Sequence, residues 1–154
     1  MSDTAEKTES AARSCAEALS RVFPTIAPGE LGVVAARAGV GKSTCLVHIA
    51  LSELLAGRPV LHVALDTPVA RVREWYDETL GAVARRTEIC DPEKLRLSVE
   101  RRRLILSYMG GVLPPERLDE ALAFHGEHAD FWPTMVVVDG LAASGRQGRD
   151  MAET

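Results

Sequence analysis

The segment 35–44, AARAGVGKST, constrains the fold more than any other part of the chain. It joins an apolar run at 31–36, LGVVAA, to a stretch at 42–56 in which Leu46, Ile49, Ala50 and Leu54 recur at helical spacing. The apolar run lacks polar alternation, so it predicts a strand buried on both faces, and Gly57 with Pro59 ends the helix. Gly39 and Gly41 let backbone N–H groups turn inward, and a helix starting near Lys42 adds its partial positive N-terminus. Such a loop cradles phosphate oxygens, with Ala38, Gly39, Val40, Gly41, Lys42, Ser43 and Thr44 forming the cradle. Lys42 is placed to reach the β- and γ-phosphates of a nucleoside triphosphate, Ser43 to offer its hydroxyl to Mg²⁺, and Thr44 to bond the α-phosphate. The plain alternative is a glycine turn before an ordinary helix. Gly-x-Gly-Lys-[Ser/Thr] arises by chance in on the order of one chain in a few hundred of this length. Ala36 stands where the usual motif begins with glycine, so the loop must enter its turn with ordinary backbone angles.

Strands and helices alternate along the remainder. Residues 1–8 are polar and predicted to fray, whereas 9–22 align Ala12, Cys15, Ala16, Leu19 and Val22 on one helical face. Pro24, Pro28 and Gly29 make 23–30 a linker and turn. A buried strand at 60–65, VLHVAL, precedes a helix whose inner face carries Val69, Val72, Tyr76, Leu80 and Val83. Asp91 and Pro92 form a cap and first-turn pair for a short helix; LILSY at 104–108 reads as a strand closed by Gly110 and Gly111. A helix over 115–127 aligns Leu118, Ala121, Leu122 and His125, and 135–138 is a last strand ending at Asp139. The expectation is an α/β fold: three layers, α/β/α, around a mainly parallel four-strand sheet. An N-terminal helix and linker would occupy 1–27, and a phosphate-loop domain 28–154.

Two carboxylates end strands. Asp139 closes VVVD at the edge where open α/β sheets bind ligands, so it is a candidate to hold Mg²⁺ through water, with a turn cap before Gly140 as the alternative. Asp66 closes the 60–65 strand and is the candidate catalytic base for an attacking water, acting with Lys42; its alternative role is to cap the next helix. Other features read as structural. His125 and His128 lack the partners of a metal site, Arg101, Arg102 and Arg103 suit a solvated strand entrance, Tyr76 suits packing, and Cys45 is expected to be buried.

With 154 residues, 46% of them hydrophobic, the chain has material for one packed domain. A net charge of −4 gives no global attraction to nucleic acid or anionic membrane. Cys15, Cys45 and Cys90 are odd in number and lack Cys-x-x-Cys spacing, which argues against a disulfide framework and for a reducing cytoplasm. No run approaches a membrane span, and the N-terminus lacks the pattern of a signal peptide.

PGELGVVAARAGVGKST, followed by LHVALDTP and later MVVVDGL, resembles the RecA-like ATPases, particularly their DnaB-type helicase and KaiC-type branches, over 28–141. The resemblance implies a RecA-like P-loop NTPase core, ATP and Mg²⁺ as cofactors, Asp66 in the place of a water-activating acid that is normally glutamate, and Asp139 as the metal-holding aspartate. Alanine at position 36 is usual in the DnaB branch. The family inserts another strand between the P-loop strand and the aspartate strand, and continues past the latter, so the chain reads as the N-terminal part of the core, with 145–154 opening a loop and helix. A homo-oligomeric ring in the complete protein is implied; DNA as a partner rests on family analogy alone. Two functions compete: an ATP-hydrolysing module, and one that uses ATP as a signal without hydrolysis. A small-molecule kinase would need an arginine-rich lid after Asp139, which the sequence does not show.

Overall fold

In the computed structural model, residues 2–23, 25–86 and 91–141 are described. Cys90 and the 145–154 segment lie outside them. The elements are α1 (Ser2–Ser20), α2 (Lys42–Leu55), β1 (Val60–Leu65), α3 (Val69–Arg86), α4 (Pro92–Glu100), β2 (Arg103–Tyr108), α5 (Pro115–Ala129) and β3 (Met135–Asp139).

The three strands form a parallel sheet in the order β2-β1-β3, with Val60 opposite both Arg103 and Met135, and Ala64 opposite both Ser107 and Asp139. β1 is central and every one of its residues is buried, as its unbroken apolar run requires. Val60 and Ala64 face a large cluster built with Leu51 and Leu54 of α2, Val72 and Tyr76 of α3, Leu95 and Val99 of α4, and Cys15 of α1. Leu61, Val63 and Leu65 face the opposite side, where Leu118 and Leu122 of α5 and Phe131 cover them. Helices therefore lie on both faces and the three layers are present. Each fully buried Leu or Val contributes roughly 1.5–3 kcal/mol, and most of these side chains belong to α2, β1 and α3.

Local signals set several boundaries. Asp91 accepts the Lys94 amide at 3.0 Å with Pro92 in the first turn, capping α4 as its sequence indicates. α1 begins at Ser2 instead of fraying to residue 8: once Ala12, Cys15 and Ala16 are anchored in the core, each added residue gains a helical bond without a new nucleation.

The four-strand expectation is corrected. Residues 31–36 join no ladder, and Leu31 and Val33 are 86% and 79% exposed. β1 already has neighbours on both sides, and the resemblance requires one further strand between 31–36 and β3. Among the described residues no segment occupies that place, so the apolar run has no backbone partner to make it a strand.

Candidate functional site

The glycine-rich loop leads into α2 through two left-handed residues, Gly39 at φ 79° and Gly41 at φ 92°. Both angles are ones glycine adopts without a Cβ penalty. Gly41 is the N-cap and offers no side chain, no acidic residue sits in the first turn, and the first intrahelical bond is Cys45 N–H to Gly41 O at 2.9 Å. The amides of Lys42, Ser43 and Thr44 therefore lie before the first helical bond, at the positive end of the helix dipole. Ser43 is half-buried, while Ala38, Gly39, Val40, Gly41 and Thr44 are exposed. Lys42 Nζ donates to Ala36 O at 3.0 Å and Arg37 O at 2.9 Å, drawing the loop over its own ammonium group.

Dimensions bring Asp139 to the same end of the sheet. Only residues 56–59 separate α2 from β1, and Thr134 N–H donates to Pro59 O at 2.9 Å, so the end of α2 and the starts of β1 and β3 lie together. The 14 residues of α2 rise about 21 Å and the six of β1 about 20 Å, so α2 runs back along the strands and its N-terminus reaches their carboxyl ends. Asp139 ends β3 opposite Ala64, on the α2 face, and is 8% exposed. Its carboxylate makes no hydrogen bond or ion pair with any described residue.

A divalent cation fits this donor set. Mg²⁺ prefers one or two carboxylates plus hydroxyl, water and phosphate oxygens, and Ser43 and Asp139 supply the first two. Among the described residues no group of three or more His, Cys, Asp and Glu could hold a metal unaided.

The carboxylate of Asp66 is held by a backbone amide. The residue stands at φ 59°, a left-handed conformation that aspartate tolerates better than most residues, and its Oδ1 accepts the Gly110 amide at 2.6 Å. Its own N–H donates to Tyr108 O at 3.0 Å, and Ser107 Oγ donates to Thr67 O at 2.7 Å. The carboxylate thus faces the loop after β2, on the opposite side of β1 from Asp139, and it does not cap α3. Gly111 packs so closely that a Cβ there would sit 2.6 Å from Asp66 Oδ2.

Sequence reasoning passed over a buried polar pair. His62, fully buried in the middle of β1, shares a 3.0 Å hydrogen bond between Nδ1 and the Tyr76 hydroxyl, and its Nε2 has no partner. Burial holds its pKa down to about 4; Asp139 opposes that shift and Arg103 adds to it. Burial also pushes the Tyr76 hydroxyl upward. The one polar residue inside VLHVAL was the available signal.

The remaining candidates are placed as follows. His125 and His128 flank Phe124, the latter stacked at 4.6 Å. Arg101 is exposed, Arg102 donates to Ser98 Oγ at 2.9 Å, and Arg103 lies inside β2 instead of in a solvated entrance, 4.5 Å from the Tyr76 ring centroid. Cys45 is half-buried, not buried, because it sits on the first turn of α2 before the helix meets the core. Among the described residues no helix is long and apolar enough to cross a membrane.

A family model described as an AAA domain matches residues 6–153, nearly the whole chain. No curated protein and no solved structure matches it.

Proposed function

Because the chain belongs to the AAA domain family of P-loop ATPases, which makes it a nucleotide-binding module, we propose that it binds ATP with Mg²⁺ at the 38–44 loop and hydrolyses it. The observation that carries this reading is the N-terminus of α2, with its glycine turn and no side-chain cap, at the same sheet end as the Asp139 carboxylate, which has no partner among the described residues. The amides of 39–44 hold phosphate oxygens, and Lys42 exchanges its two loop carbonyls for them. Ser43 and Asp139 hold the Mg²⁺, which supplies charge neutralisation at the phosphates. Asp66 orients or deprotonates the attacking water after releasing the Gly110 amide.

The finer assignment is to the RecA-like core of DnaB-type or KaiC-type ATPases. It is supported by Ala36, by an acid ending the strand after the P-loop helix, and by the order β2-β1-β3, which leaves β3's other edge for an inserted strand. On this reading 1–27 are a helix and linker beside a domain of 28–154, the protein forms a homo-oligomeric ring, DNA is a partner by analogy, and the site of action is the cytoplasm, where Cys15 and Cys45 stay outside any disulfide.

A second reading, ATP as a binding signal without turnover, is favoured by one observation: the Asp66 carboxylate is committed to Gly110. Phosphate release decides between them. Mg-dependent release abolished by Asp66→Ala, with ATP binding retained, supports hydrolysis; binding without release supports the signal.

A further inference from the structure

Arg103 lies within a strand, unlike the other arginines among the described residues. Its place opposite Val60 puts its side chain on the α3 face of β2, over the Tyr76 ring, where it is half-buried. A guanidinium carries five N–H donors, yet no hydrogen bond or ion pair joins Arg103 to any described residue. Of the two acids whose charge reaches it, Glu100 accepts from Arg96 at 2.7 Å, while Asp77 is exposed and makes no hydrogen bond or ion pair with it. Burial lowers the pKa of Arg103, against the pull of Tyr76, Asp77 and Glu100, and the charge of Arg73 lowers it further. A partly desolvated guanidinium with unused donors beside a second one keeps the capacity to take a further anion.

That arrangement borders a cavity. Arg73, Arg103 and Glu100, with Val69, Leu104 and Ile105, line a space of about 230 Å³ between the start of α3 and β2. The space equals about eight water volumes, enough for one oxyanion and its residual hydration. β2 pairs only with β1, so the cavity opens beside an edge that has no strand partner among the described residues.

We propose that this cavity is an oxyanion site, separate from the P-loop, in which Arg73 and Arg103 together hold the phosphate or carboxylate group of a small solute. Planar guanidinium forks match either group with paired N–H···O bonds, and Tyr76 fixes the plane of one fork. Glu100 stays with Arg96 and leaves the two forks to the anion.

The test uses the full chain carrying Lys42→Ala, so that the P-loop does not compete for phosphate, with its fold checked by circular dichroism. Titration with inorganic phosphate and, separately, malonate is followed through the arginine Nε resonances. The proposal requires a saturable shift of the Arg103 Nε signal and roughly tenfold weaker binding in Arg73→Gln, an exposed position whose replacement leaves the core intact. Tighter binding of phosphate identifies a phosphate ester as the solute class, and tighter binding of malonate a carboxylate. No saturable shift with either anion, or affinity unchanged in Arg73→Gln, overturns the site.

Discussion

The Asp66 carboxylate holds the backbone amide of Gly110 at 2.6 Å, tying the end of β1 to the loop that leaves β2. The bond joins the ends of two neighbouring strands and is made by the acid that the sequence nominates for catalysis. It makes the loop at Gly110 and Gly111 part of whatever Asp66 does.

Gly111→Ala is expected to break this arrangement. The new Cβ would meet Asp66 Oδ2 at 2.6 Å, and the residue stands at φ 69°, where a side chain is strained. Denaturant unfolding should show a loss of about 1–2 kcal/mol, and Asp66→Ala a loss of about 1 kcal/mol. Stability unchanged from the parent chain in both variants would mean that the contact does not form.

Gly140→Ala is expected to be more damaging. At φ 94° its Cβ would lie 2.6 Å from Leu65 O, a rigid backbone atom of the central strand. A loss of about 2–3 kcal/mol is expected, with ATP affinity falling as well because Asp139 is the adjacent residue. Thermal unfolding and nucleotide titration of the same sample check both.

The His62–Tyr76 pair sets a pH window. Above pH 6.5 His62 is neutral in both folded and unfolded chains and the stability is fully present. Between 6.5 and about 4 the unfolded chain takes up a proton that the folded chain refuses, so stability falls with pH; below 4 this loss is complete. The loss amounts to about 3 kcal/mol. His62→Leu combined with Tyr76→Phe, which removes both polar partners, should flatten stability over that window in urea titrations, whereas an unchanged slope would place its origin elsewhere.

Most of the layered architecture was legible because each element carries its own period and punctuation. VLHVAL gave β1 to the residue, and Asp91 with Pro92 gave the start of α4. The run at 31–36 has equal apolar content, yet a strand exists only through its neighbours, and no local pattern reports whether a neighbour is there. Among the proposed site residues, Gly39, Gly41 and Asp139 carry local signals, a glycine turn before a helix and an acid at a strand end. The partnership of Asp66 with Gly110 spans 44 positions and follows from the β1–β2 register, which the sequence does not print.

The exposure of 31–36 predicts tolerance there. Leu31→Lys and Val33→Lys should each change the stability of this chain by less than about 0.5 kcal/mol, as exposed positions do. A loss of about 2 kcal/mol or more in chemical denaturation would show the run to be buried after all.

The central claim, a Mg-nucleotide site formed by α2's N-terminus and Asp139, is tested most directly by calorimetric titration of the folded chain with ATP, with and without Mg²⁺, beside Lys42→Ala. The account predicts Mg-dependent binding that Lys42→Ala abolishes. Binding that survives Lys42→Ala unchanged, or no binding by a chain shown to be folded, would contradict it.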